Sequence, residues 1–516
     1  MSVANLPGAI SSEFLASQTD KQKITICEKI KFALTHITVE PISFLFMLAS
    51  MMNGLASQNL MLEKACRVNL QFNTSICDAL TVRNRSGYDF FHENETQQLV
   101  SVWTSYRSIV IGSFPVFLMI ILGSWSDRSN RRKPVILLPI LGEFVGAIGL
   151  LLCSFYFLEL PIEYAWFFQT VPPSLLGGGG CLALGIYSYV SARTSEEEKT
   201  LKIGAVSMCW TVAMSLGMFI SGFFLNRVGF KGLFSFSSCI LLSGIIYGIL
   251  VVREEPSEKP KEHKQGILKD LFAFEHVINT FKTCFRKDEG KRRTKIVIII
   301  LLGALIFGPL QGEISVVYMY IRLKCGWNEV DFSIYNSFHF CLQLLGTSFA
   351  LTFFSKHLKL NDAMLGIIAV GSRICSCAIF AIAPSGKYFY LGACIDVFYG
   401  TSFISLRAMM AKIVPPHELG QANSVFGICE ALMPLIFGFV YTKIYMKTLT
   451  FFPGLFYLIT VAVYIVAFCL LIYLYKEGKE ETRIKLEKTG PTDLEKNLIT
   501  QKCTLEIKKS REVLRS

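Results

Sequence analysis

Apolar residues along the chain fall in long unbroken runs instead of the 3.6- or 2-residue alternation of a water-facing domain. A membrane-crossing helix needs about 20 mostly apolar residues. Twelve windows of that kind lie near 40–61, 103–125, 134–158, 164–190, 204–226, 230–252, 295–321, 331–354, 363–383, 388–411, 421–445 and 450–475. The pattern predicts an all-α membrane protein of twelve transmembrane helices in two six-helix halves. Its expected parts are a cytosolic tail (1–38), a first half (39–252) with a long outer loop (62–102), a cytosolic linker (253–294), a second half (295–475) and a cytosolic tail (476–516).

Composition strengthens that reading. Of 516 residues, 52% are hydrophobic and only 17% charged, with 42 Phe and a mean hydropathy of +0.46. So little charge could not cover the surfaces of the roughly three soluble domains that this length suggests. The formal net charge is 51 − 39 = +12. Its placement assigns it to topology, because basic residues mark cytosolic loops. Arg128, Arg131, Arg132 and Lys133 lie between spans two and three, and Arg253 through Lys295 fill the linker. No nucleic-acid partner is expected. The polar segment around Lys21, Lys23, Lys29 and Lys31 lacks an apolar core and a cleavage site, so no cleaved signal peptide is expected.

The sequons Asn73-Thr-Ser, Asn84-Arg-Ser and Asn94-Glu-Thr all fall in the loop predicted to face outward, where glycosylation is possible. Cys66 and Cys77 share that loop, where oxidation is permitted. A bridge between them is the first pairing expected, and a bridge from one of them to Cys325 or Cys341 the alternative. Most other cysteines lie in apolar runs and act as small hydrophobes. No spacing of Cys and His marks a metal site, and no cofactor is expected. The run Gly177–Gly180 is not followed by the residues of a phosphate loop and reads as close helix packing. Without any catalytic constellation the chain is not expected to be an enzyme.

At the turn after span two, Gly123-x-x-x-Asp127-x-x-x-Arg131-Arg132 resembles the loop motif of the major facilitator superfamily. The neighbourhood, Trp103-Thr-Ser-Tyr-Arg107 and Gly123-Ser-Trp-Ser-Asp127, is similar more narrowly to the proton-coupled folate transporter and its relatives, solute carrier family 46. Ser372-Arg373, Arg407-Ala-x-x-Ala-Lys412, Glu430 and Cys341 also fit, and the resemblance covers residues 40–475. It implies a two-half transporter working by alternating access on small organic anions, with protons as coupling partner. The plasma membrane is the favoured location and an endolysosomal membrane the alternative. In that frame Asp127 and Arg131 form a gating pair, which Asn130 permits by tolerating the left-handed turn.

Ionisable residues deep in a bilayer cost several kcal/mol and mark function or pairing. The resemblance puts spans three, six, nine and twelve at the periphery, so Glu143 and Arg373 are expected to be structural charges. The cavity helices carry the substrate-binding candidates: Arg407, Asp396, Arg107, Asn53, Gln58, Gln311 and Tyr335. An arginine fork matches carboxylate geometry. Asp396 and Arg407, eleven residues apart, should share one face of span ten, and His339 and Gln343 one face of span eight. Glu430, Glu313 and His339 are the proton-coupling candidates. Span five has no acid, only Trp210, Thr211 and Ser215, so the cavity of the first half is expected to be nearly uncharged and coupling to fall to the second. The alternatives are an endolysosomal exporter of muropeptide-like or conjugated anions, and a non-transporting membrane receptor or scaffold. Retention of the gate-like turn favours transport.

Overall fold

The computed structural model describes residues 38–129, 131–193, 196–252, 254, 292–358, 360–414 and 419–488. These residues form helices and turns, with no strand among them. The first half holds α1 (Glu40–Lys64), a loop helix α2 (Thr74–Val82), α3 (Phe90–Ser129), α4 (Lys133–Phe155), α5 (Ile162–Leu175), α6 (Gly178–Arg193) and α7 (Glu196–Val251). The second holds α8 (Arg292–Cys325), α9 (Glu329–Phe349), α10 (Asp362–Ile382), α11 (Gly386–Ile395), α12 (Thr401–Ile413), α13 (Leu419–Met433), α14 (Phe439–Thr448) and α15 (Leu455–Lys488). The expected linker 253–294 and tail 1–38 lie almost wholly outside the described residues, whereas α15 runs past Tyr475.

Among the described residues, nine helical stretches are long and apolar enough to cross a membrane. One of them, within α7, is two crossings. Gly229 interrupts it at φ 66°, and the rings of Phe224 and Phe236, twelve positions apart, approach to 4.9 Å. A continuous helix would separate them by about 18 Å. The window near 164–190 is also broken. Gly177 and Gly178 take φ of +102° and +54°, left-handed values that glycine adopts without steric cost. Gly180 does pack closely, since a Cβ there would meet the Met119 sulfur at 2.8 Å. The glycine run therefore splits span four as well as packing it. Counting α7 twice and adding α1 and the α5–α6 pair accounts for each window in the sequence.

Buried tyrosines pin the second half, each with its hydroxyl satisfied. Tyr320 donates to the carbonyl of Phe380 (2.8 Å), Tyr464 to that of Ile306 (3.0 Å), and Tyr441 shares a bond with Thr460 (3.0 Å). Asn328 and Asp331 form a capping box that starts α9.

The two halves are stitched together on the face that carries the sequons. Arg322, at the end of α8, donates to Asn59 (3.3 Å) and to the Leu80 carbonyl (3.0 Å), and Tyr318 donates to Asn59 (2.5 Å). Arg83 pairs with Glu93 at 2.7 Å and donates to the Arg322 carbonyl, while Tyr445 donates to Gln97 (2.7 Å). Ser333 accepts from the Gly222 amide (3.0 Å), and Ser337 donates to the Ser215 carbonyl (3.1 Å). Deeper in, α3 and the π turn Pro434–Gly438 touch backbone to backbone. A Cβ at Gly112 would fall 2.4 Å from the Leu435 nitrogen. The sequon face is closed.

Candidate substrate and proton site

Four second-half helices bring charge to one depth. His339 lies ten residues into α9, Asp396 ten residues after Gly386, Arg373 nine before Ile382 and Glu313 twelve before Cys325. At 1.5 Å per residue each is about 14–18 Å from the sequon-face end of its helix, near the middle of a bilayer core about 30 Å thick. Their side chains meet. Arg373 Nη1 donates to Asp396 Oδ2 (2.6 Å), and Nη2 to Glu313. His339 Nε2 lies 2.9 Å from the same Asp396 oxygen, and Gln343 Nε2 donates to it at 3.2 Å. Ser376 donates to the other oxygen (3.3 Å), and the Cys377 thiol reaches Glu313 (3.7 Å). The Arg373 guanidinium sits 4.8 Å over the Tyr399 ring, whose hydroxyl donates to the Ile306 carbonyl at 3.1 Å.

A break in the chain makes this possible. Between α11 and α12 the backbone tightens to a 3-10 turn at Asp396–Phe398, with Asp396 fully buried at its start. Discontinuous helices of this kind are where transporters build binding sites. The break also corrects the expectation that Asp396 and Arg407 share a face, because the tighter turn resets the helical phase. Arg407 pairs instead with Glu430 at 3.0 Å, with 59% of its own side chain and 17% of Glu430's accessible. Nor does Arg373 stand apart as a peripheral charge. It is the common partner of Glu313 and Asp396, since even an outer helix turns one face inward.

Arg107 on α3 and Glu143 on α4 lie deep in the bundle and act electrostatically on each other, and Ser50 on α1 is within hydrogen-bonding reach of Glu143. Four residues apart on α1, Asn53 and Ser57 extend the polar ridge that starts at Ser50. Ser57 accepts from Gln169, and Asn53 keeps its Oδ1 buried without a partner. Gln58 and Gln311 are half-buried. Tyr335 is packed, 4% accessible, among Trp327, Phe389, Tyr390 and His339, and so is core instead of lining.

The side chain of Asp127 lies outside the described residues, as does Asn130, while Arg131 is exposed before α4. Cys66 and Cys77 are joined by a disulfide with Cα atoms 5.9 Å apart; Cys325 and Cys341 are free. Asn73 caps α2 and is exposed, as is Asn84, whereas Asn94 is half-buried within α3. Sequence reasoning missed Ser376, Cys377 and Tyr399, which carry no motif, and Arg322, which ties the halves together on the sequon face. A cation at the sequon-side end of span seven, against the usual charge bias, was the available signal for the last.

Comparison with known proteins agrees with this architecture. The model of the Major Facilitator Superfamily matches residues 41–438. The probable peptidoglycan muropeptide transporter SLC46 of Drosophila melanogaster is 22% identical over 81% of either chain. The lysosomal proton-coupled steroid conjugate and bile acid symporter SLC46A3 of Gallus gallus is 23% identical over 85% of this chain and 94% of its own. The proton-coupled folate transporter of Rattus norvegicus is 23% identical over 70% and 76%. Among solved structures, the human organic anion transporter MFSD10 superposes with a TM-score of 0.57 at 13% identity, covering 84% of this chain and 98% of that one. These relatives are transporters, not enzymes. With its multi-pass helical frame and a family match spanning most of its length, the chain is similar to transporters of solute carrier family 46 and belongs to the Major Facilitator Superfamily.

Proposed function

We propose that the chain is a secondary active symporter of small organic anions of the folate-like kind, driven by protons through alternating access. The observation that carries this reading is the Glu313–Arg373–Asp396–His339 cluster at mid-depth. Two carboxylates face one guanidinium, so the cluster is one positive charge short with His339 neutral. A bound proton, on His339 or a carboxylate, balances it in a medium where imbalance is costly. Arg407, accessible and paired with Glu430, supplies an anion-binding fork. Closure of the sequon face, read as the outer face, corresponds to the inward-open stage of the cycle, with both termini cytosolic and the plasma membrane as the site of action.

Uptake of labelled folate and methotrexate at pH 5.5 and 7.4, with surface display confirmed, tests this. Faster uptake at the lower pH, lost in Arg407→Ala and in Glu313→Gln, is the expected result; no uptake at either pH rejects folate-like import. The second reading is export of muropeptide-like or conjugated anions from an endolysosome. It is favoured by the names of the fly and chicken relatives, which are matched at an identity no lower than the folate transporter by more than a point. Efflux from isolated lysosomes preloaded with labelled muramyl dipeptide or bile acid separates the two.

A further inference from the structure

Arg107 is an unusual arginine. It lies deep in the bundle, about 15 Å along α3 from Gln97, which meets Tyr445 on the closed sequon face, and its Nε is buried with no hydrogen-bond partner. No protein group among the described residues accepts from its guanidinium. Glu143, which acts on it electrostatically, is not in ion-pair contact: no N···O distance between them falls within 4.0 Å. Both side chains nevertheless keep partial solvent access. A cation and an anion that act on each other without an ion-pair contact, the guanidinium lacking any acceptor among the described residues, can be served by a third group. A buried arginine without acceptors is costly, and the group that best relieves it is planar and anionic.

We propose that Arg107 is a carboxylate-docking site in the first half, and that a substrate carboxylate seated there takes over the guanidinium from Glu143, which then binds a proton. The proposal rests on the reading of the chain as a proton-coupled anion transporter and adds the chemical group that is recognised. Its charge balance closes. Before binding, Arg107 and Glu143 sum to zero. The arriving carboxylate brings one negative charge, and one proton taken from the aqueous cavity onto the Glu143 carboxylate restores zero. No bond other than that O–H forms, and leaving the site reverses the step. Ser50 on α1 holds Glu143 through a hydroxyl that accommodates either protonation state by rotating. Among the described residues Arg107 is the only charged group acting on Glu143 from α1, α3, α5, α6 or α7, all of which contact α4. The proton's fate is therefore set by whether Arg107 is shared. This site is distinct from the second-half cluster, where both terminal nitrogens of the arginine already meet carboxylates.

The test uses the purified full chain in proteoliposomes and two probes that differ in the anionic group and one methylene, labelled glycocholate (a carboxylate) and taurocholate (a sulfonate), with labelled methotrexate as a third. For wild type, uptake of the carboxylates rises several-fold between pH 7.4 and 5.5. In Glu143→Gln that ratio falls to about one, and Arg107→Ala raises the KM for carboxylates at least tenfold, with partial recovery in Arg107→Lys. Thermal stabilisation of the detergent-solubilised protein by glycocholate provides a readout without transport, and it disappears in Arg107→Ala. A wild-type pH ratio in Glu143→Gln, or unchanged glycocholate stabilisation in Arg107→Ala, overturns the proposal. If wild type responds and Glu313→Gln alone abolishes the pH response, this inference fails while the transporter reading stands. If wild type neither accumulates nor binds any probe, both fall.

Discussion

Arg373 Nη1 lies 2.6 Å from Asp396 Oδ2, joining α10 to the break between α11 and α12, and its other terminal nitrogen joins Glu313 on α8. One guanidinium thus ties three helices of the second half at mid-membrane depth. Removing it leaves two buried carboxylates uncompensated, which costs about 3–5 kcal/mol for a broken buried pair. Arg373→Met should lower the unfolding temperature of the purified protein sharply, and the double variant Arg373→Met with Asp396→Leu should recover part of the loss. Equal stability of Arg373→Met and wild type would mean the pair does not hold the fold.

Arg407 should behave in the opposite way. Its side chain is 59% accessible and has one carboxylate partner. Exposed pairs of this kind contribute about 0–1 kcal/mol. Arg407→Ala is therefore expected to unfold within a degree or two of wild type while the KM for anionic substrates rises at least tenfold. A normal KM would remove Arg407 from the substrate path.

Gly112 and Gly427 make a matched pair for testing the contact between halves. A Cβ at Gly112 would fall 2.4 Å from the Leu435 backbone, whereas one at Gly427 meets nothing within 4 Å. Gly112→Val should disfavour closure of the sequon face, raising the labelling of cysteines placed beneath it by membrane-impermeant maleimide. Gly427→Ala should label as wild type does. Equal labelling of both would show that the α3 crossing does not control closure.

The disulfide Cys66–Cys77 closes a loop with a sequence separation of 11, carrying α2 onto the end of α8. Cross-links closing loops of that length contribute about 2–4 kcal/mol. Cys66→Ser and Cys77→Ser, alone or together, should lower stability equally, and reductant should lower wild type to the same level without affecting the variants. Unequal single variants would indicate that one sulfur has a second role.

The apolar windows, the positive-charge bias and the sequons were enough to place the helices, their order and the long loop, because each is a property of consecutive residues. The superfamily motif was legible for the same reason. Which charges meet was not. Span membership marks Arg373 as a structural charge without naming its partners, because it says nothing of helix rotation, and the shared face expected of Asp396 and Arg407 assumes a regular helix through Asp396–Phe398. The double role of Gly177–Gly180, breaking span four and packing it, was likewise hidden, since glycine permits both and only the surrounding helices select. Sequence by itself determined that this is a multi-span membrane protein of known superfamily with charges at mid-depth. Tertiary structure decided their partners, because partnership depends on helix phase and crossing, and a single tightened turn changes both.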